Sequence, residues 1–190
     1  MKPILFNTDM VQAILEGRKT VTRRVVKPQP PATAYIAKVR NDYGWSFWKD
    51  DPQKHYMKPP YQPGDILWVR ETWSPVNVRP RRYIYKADVD RRIGEGVGLP
   101  LCWRPSIHMP LEAARIFLRV TGVRVDRLQE LTLKDAAMEG MDLRGPMFTK
   151  FVEFWNSTVQ KHPNKFKRYP YCWEDNPWVW VIEFERISKP

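Results

Sequence analysis

Hydrophobic and polar positions along the chain alternate in short, interrupted runs, and the period changes several times. Residues 4–6 form an apolar run that reads as a short strand. Val11, Ile14 and Leu15 then recur at the i, i+3, i+4 spacing of one helix face, with Thr8 or Asp9 placed to cap the helix and Gly17 to close it. Residues 20–26 are β-branched at Thr20, Val21, Thr22, Val25 and Val26 and predict a strand. Gly17-Arg18-Lys19-Thr20 therefore falls on a tight helix-to-strand corner, a place that holds polar side chains in fixed, exposed positions.

Between residues 27 and 63 the period dissolves, leaving a fragment of alternation at 35–39 and an aromatic cluster at Tyr43, Trp45, Phe47 and Trp48. Pro63-Gly64-Asp65 is a turn signal, and residues 66–69 are an apolar strand behind it. A second irregular stretch runs from 74 to 110, with a strand at 82–87 and a flexible Gly94-Glu95-Gly96-Val97-Gly98. Residues 115–127 are the clearest strand. Ile116, Leu118 and Val120 share one face, then Val123 and Val125 take the opposite phase across Gly122, as a β-bulge or a barrel bend would produce. Thr132 caps a helix at 133–139 with Asp135 in its first turn and Gly140 beyond its end. Residues 147–159 are amphipathic, and Phe148, Phe151 and Trp155 are assigned to the core. An alternating strand at 178–184 closes the chain, and Trp68, Trp178 and Trp180 also read as core residues. Strands outnumber helices without regular alternation. The expected fold is thus α+β: one domain over 1–190 built on a small bent β-barrel with flanking helices, carrying insertions at about 27–61 and 74–109.

Composition narrows the class. The 190 residues include 32 Lys plus Arg and 21 Asp plus Glu, a net charge of +11, with 18 prolines and nine tryptophans. Average proline usage is about 5%, and this excess excludes a helical bundle, because interior prolines break helices. A basic chain rich in flat rings points to a polyanion whose bases can be stacked upon. The longest wholly apolar run, 178–182, is far short of a membrane span, and the N-terminus reaches Asn7, Thr8 and Asp9 before a signal-peptide stretch can form. A cytoplasmic protein is expected, without membrane contact. Cys102 and Cys172 read as two buried free thiols. His55, His108 and His162 have no ligand spacing, so neither a metal nor a cofactor is expected. Monomer and dimer both remain open.

Four ordered strings are more specific. Gly17-Arg18-Lys19-Thr20-Val21-Thr22-Arg23-Arg24 resembles the signature of the ASCH domains, a PUA-like β-barrel superfamily associated with RNA. Pro63-Gly64-Asp65-Ile66-Leu67-Trp68-Val69, the segment from Leu131 through Met141, and the closing strand from Val179 agree in order and spacing. The match is similar to a longer form often carried by phages and prophages, and it covers about half the chain. Some short bacterial members are amidohydrolases that cleave N(4)-acetylcytidine to cytidine and acetate. The resemblance implies Lys19, Thr22 and Glu139 as their catalytic group. It also implies a nucleoside or RNA partner. A non-catalytic RNA-binding module and a metal-independent ribonuclease are the competing readings, since fold alone does not settle chemistry.

The residues can be weighed for that chemistry. Thr22 supplies a hydroxyl and Lys19 a base, provided that a lysine pKa near 10.4 falls to about 7–8. The adjacent Arg18, Arg23 and Arg24 push that way, whereas a directly paired Glu139 pushes against it. Glu139 suits either an acid–base role at the leaving nitrogen or the orienting of a lysine that stays charged. In an ideal strand Lys19 and Thr22 face opposite ways, so Thr20 is a second nucleophile candidate. Arg23 adds charge that favours a phosphate-bearing substrate. Glu71 is the rival carboxylate, its plain alternative an ion pair with Arg70 or Arg24. Trp45, Trp48, Trp73 and Trp103 lie in irregular segments. Arg18, Thr20, Arg23, Arg24, Glu71, Trp73 and Trp103 complete the candidate binding set.

Overall fold

A computed structural model of the chain describes residues 1–30, 36–38, 45–47, 55–76, 82–92, 102–141, 145–159 and 171–190. In chain order its elements are β1 (Lys2–Leu5), α1 (Thr8–Leu15), β2 (Val21–Val25), β3 (Ile36–Lys38), β4 (Trp45–Phe47), β5 (His55–Met57), β6 (Ile66–Arg70), β7 (Trp73–Val76), β8 (Arg82–Tyr85), α2 (Lys86–Arg92), β9 (Phe117–Arg127), α3 (Leu133–Met138), α4 (Met147–Val159) and β10 (Trp178–Ile187). The result is a mixed α+β architecture.

Five strands form the principal sheet in the order β1-β6-β9-β10-β2. The β1–β6 pair is parallel, and β6–β9, β9–β10 and β10–β2 are antiparallel. The register of the long β9–β10 ribbon slips where Gly122 faces Glu183 and Val120 faces Phe184, so Thr121 is the extra residue of a bulge. That is the phase change visible in the alternation around Gly122. A closed barrel was expected. Instead, among the described residues, no ladder joins the edge strands β1 and β2. They meet through a side chain, with Arg24 Nη2 donating to the Leu5 carbonyl at 2.9 Å. The 27–61 stretch contributes a separate antiparallel sheet, β3-β4-β5, and β7 and β8 form a hairpin pair. The run expected as one strand at 82–87 turns into α2 at Lys86. The Gly94–Gly98 motif lies outside the described residues, as do Tyr43 and Trp48.

The main core sits between the sheet and three helices. Met10, Val11 and Ile14 from α1, Ala136 from α3 and Phe151 and Trp155 from α4 share one buried cluster with Val179, Val181 and Ile182 of β10. Phe148, expected to share that core, is 39% exposed and meets the edge of Trp173 at 5.0 Å. Trp180 is buried, whereas Trp68 and Trp178 are half-buried under the guanidinium groups of Arg70 and Arg127. A second apolar cluster gathers Trp73, Met109, Ala113, Ala114 and Phe117. Both cysteines are free, as expected, but only Cys172 is buried; Cys102 is exposed. Among the described residues no helix is long and apolar enough to cross a membrane.

Two helix ends bring the candidate residues together. Asn7, not Thr8 or Asp9, caps α1, and at the other end Gly17 takes φ +76°. The chain then wraps so that both Arg18 and Lys19 donate backbone N–H groups to the Ala13 carbonyl. At the end of α3, Gly140 takes φ +88°, and a Cβ there would lie 2.7 Å from Ala13 Cβ and 3.0 Å from Lys19 Cβ. Only glycine permits this approach, which sets Lys19 opposite Glu139 in an isolated antiparallel bridge.

Candidate active site

Lys19 lies at the centre of a buried polar cluster. Its Nζ donates to the Val21 carbonyl at 2.8 Å, the Glu139 carbonyl at 3.0 Å and Glu139 Oε2 at 2.5 Å. Three acceptors for three ammonium hydrogens leave the charged lysine fully satisfied. The corner was expected to expose its polar side chains, yet Lys19 is only 3% exposed and Glu139 likewise 3%. Lys19 precedes the β2 ladder, which begins at Val21, and its side chain reaches forward to the Val21 carbonyl.

Arg23, 5% exposed, forks between a carboxylate on α3 and one at its C-terminal cap: Nη1 meets Glu139 Oε1 at 3.1 Å and Nη2 meets Asp135 Oδ1 at 3.2 Å. Asp135 also accepts from Arg124 at 3.1 Å and closes the capping box with Thr132. Burial alone would raise the Asp135 carboxyl, but the Thr132 hydrogen bonds and the Arg23 guanidinium outweigh it and hold the carboxyl below its ordinary value. Arg23 is therefore committed to Glu139 and Asp135, and the expected extra positive charge for a phosphate is not on this residue. The i, i+4 spacing of Asp135 and Glu139 is a signal from which this pairing could have been read.

Burial pushes the Lys19 ammonium below its ordinary value of 10.5; Glu139 opposes that shift, and Arg24 and Arg23 reinforce it. Lys19 Nζ and the Arg24 guanidinium both lie over the Phe6 ring, at 5.6 and 5.5 Å. Arg24 is likewise lowered, mainly by burial.

Above this cluster is a cavity of about 110 Å³ whose lining includes Lys19, Thr22, Arg23, Arg24, Glu139 and Phe6. Thr22 is 4% exposed. A larger groove of about 620 Å³ adjoins it, and both are lined by Arg23, Arg24, Trp155 and Thr158. Phe6, Asp135, Tyr61 and Trp155 belong to this region without having been singled out as site residues. Only Asp135 carried a local signal, because the others reach the region by long-range packing.

The remaining candidates lie apart. Thr20 is exposed, and its backbone bridges α3 and β10 through Met138 and Phe184. Arg18 is on the rim, donating to the Gly140 carbonyl at 2.6 Å and pairing with Glu16. Glu71 pairs with neither Arg70 nor Arg24: Arg115 holds it with two bonds of 2.8 and 3.0 Å and links it to Asp88 at 2.6 Å. Trp73 is buried in the second cluster, edge-on to Tyr83 and under Arg104. Trp103 is half-buried and lines neither the cavity nor the groove. Trp45 contributes backbone to β4. Among the described residues no group of three His, Cys, Asp or Glu side chains converges as metal ligands would.

The fold and this cluster define a basic α+β domain with a buried Lys-Glu-Arg centre beneath a small cavity. No protein-family model matches the chain, and no curated protein does. Among solved structures it is similar to the crystal structure of protein EF3133 from Enterococcus faecalis V583, of family DUF984. The two share 11% sequence identity with a TM-score of 0.45, over 99% of this chain and 82% of that one. So distant a likeness says nothing of what the chain does.

Proposed function

We propose that the chain is a PUA-like, ASCH-type amidohydrolase acting on N(4)-acylated cytidine. One observation carries the reading: Lys19, Thr22 and Glu139, the last 120 positions from the first, line a single small cavity. The acyl amide occupies that cavity and the nucleoside extends into the groove, whose volume is within the usual range for ligand sites, about 300–1,000 Å³.

In this mechanism Glu139 receives a proton from Lys19 across their 2.5 Å contact. The resulting amine takes the Thr22 hydroxyl proton as Oγ1 bonds to the acyl carbon. The tetrahedral oxyanion forms beside the Arg24 charge. It collapses by breaking the carbon–N4 bond while Lys19 returns its proton to N4, releasing cytidine and leaving an acyl ester on Thr22. Water then adds to the ester, losing a proton to Lys19, the carboxylic acid leaves as Lys19 passes that proton to Thr22 Oγ1, and Glu139 returns its proton to Lys19 to restore the starting state. Burial of Lys19 supports the first step by disfavouring its charged form.

The test is release of acetate from N(4)-acetylcytidine, followed with the accompanying ultraviolet change. Thr22→Val and Lys19→Met should each lower kcat/KM at least about 100-fold, the lower end of what a positioned base contributes, while Thr22→Ser retains turnover. Absence of acetate release, or full activity in Thr22→Val, would overturn the proposal.

A further inference from the structure

We propose that the groove beside the Lys19 cavity is a phosphate subsite, so that the preferred ligand is a pyrimidine nucleotide and not the bare nucleoside. The cavity's occupant rests on the function proposed above; the groove's chemistry stands on its own residues. Arg23, Arg24, Lys27 and Lys58 line it, and among the described lining residues there is no carboxylate. Arg23 is paired with Glu139 and Asp135, so the lining cations that make no ion pair among the described residues are Arg24 and Lys27. Arg24 makes no ion pair among the described residues: its contacts are the Leu5 carbonyl and the Phe6 ring. Holding a guanidinium in that setting is unfavourable, and a bound phosphoryl oxygen relieves it.

The rest of the lining suits what joins a phosphate to a base. Tyr61, Trp155, Tyr171 and Trp180 present aromatic surface, and Lys27 Nζ lies 5.2 Å from the centre of the Tyr171 ring. Trp155 is locked by its Nε1 bond to the Tyr171 carbonyl at 2.9 Å, so that wall is rigid. Because Arg24 and Trp155 belong to both the groove and the cavity, one ligand can fill the two at once. Its base end lies towards Lys19 and its phosphate towards Arg24 and Lys27.

Equilibrium titration of the whole chain with reaction products reads this directly. Cytidine 5′-monophosphate should bind about tenfold tighter than cytidine, the size of one or two charge-assisted contacts. That advantage should shrink between 50 and 300 mM salt. It should also fall at least about threefold in Lys27→Ala and in Arg24→Met, with circular dichroism and thermal unfolding confirming that the variants fold. Ribose 5-phosphate, inorganic phosphate and a short oligocytidylate distinguish the source of the phosphate. Tighter binding of the oligonucleotide than of the mononucleotide, lost in the same variants, assigns the same subsite to a strand. Equal affinity for cytidine and its monophosphate overturns the inference, as does a monophosphate no tighter than inorganic phosphate. Acetate release measured separately keeps the two ideas apart. Turnover without a phosphate preference refutes only the subsite, and a phosphate preference without turnover refutes only the hydrolase.

Discussion

Replacing Glu139 with Gln leaves the shape of the buried cluster nearly unchanged but removes one negative charge from between Lys19 and Arg23. In the native chain its single negative charge is shared between them, at 2.5 Å from Lys19 and 3.1 Å from Arg23. Without them the two cations face each other with almost no water, since all three residues are at most 5% exposed. Breaking one partner out of a buried ion pair costs about 3–5 kcal/mol. The structure also bounds the part due to Lys19, because that lysine can escape by losing its proton. From an ordinary value of 10.5, doing so at pH 7 costs about 5 kcal/mol at roughly 1.36 kcal/mol per pH unit. The sign of the pH dependence follows. Lys19 has a lowered pKa in the folded state, so below it the burial penalty is full. Between the folded value and 10.5 the unfolded chain binds more protons and stability rises with pH. Removing Glu139 deletes the group that raises the folded value and widens this window. Urea unfolding of Glu139→Gln should therefore show a loss of about 3–5 kcal/mol at pH 7 that narrows by pH 9.5. Lys19→Met combined with Glu139→Gln should recover a large part of it. A loss below about 1 kcal/mol, or the same loss at both pH values, would refute the claim that Lys19 is charged and held by Glu139.

Two other perturbations probe the scaffold. Gly140→Ala places a methyl group 2.7 Å from Ala13 Cβ at φ +88°, and thermal unfolding should show a loss of about 2–4 kcal/mol together with reduced activity; a change within about 0.5 kcal/mol would mean that α1 and α3 can separate freely. Asp135 has a folded pKa below 3.8, so its contribution is complete above that value and is lost as pH falls through the folded value. The stability gap between wild type and Asp135→Asn should accordingly be about 1–2 kcal/mol at pH 6 and close on acidification below pH 4, and a gap that persists at pH 2.5 would contradict the assignment.

Much of this architecture is written locally. The period of 147–159 predicts α4 with its observed bounds, because one apolar face of 3.6-residue repeat must be buried. The opposing phases around Gly122 place the β9 bulge, and Thr132 with Asp135 marks the start of α3, since both signals lie within a few residues. What such signals leave out is where each surface goes. Phe148 has the right period for the core but lies at the edge of the stripe, beside Trp173. The barrel expectation required a ladder between β1 and β2, and among the described residues none is present; Arg24 bonds to the Leu5 carbonyl there instead.

The site divides in the same way. Legible in the sequence were the glycines at 17 and 140, the basic segment from Arg18 to Arg24, and Asp135 in the first turn of α3. All of these depend on backbone preference and short spacing. Tertiary structure alone decided which carboxylate meets Lys19. Glu71 and Glu139 are equally plausible as isolated letters, but Glu71 is taken by Arg115 across 44 positions and Glu139 by Lys19 across 120. It also decided that Lys19 is buried, that Arg23 is neutralised and that Arg24 is left as the cation shared by cavity and groove. The physical reason is that the state of a charge depends on its desolvation and on the groups packed around it. Those neighbours come from α1, β1, β2, α3 and α4, elements that are distant along the chain and adjacent only after folding.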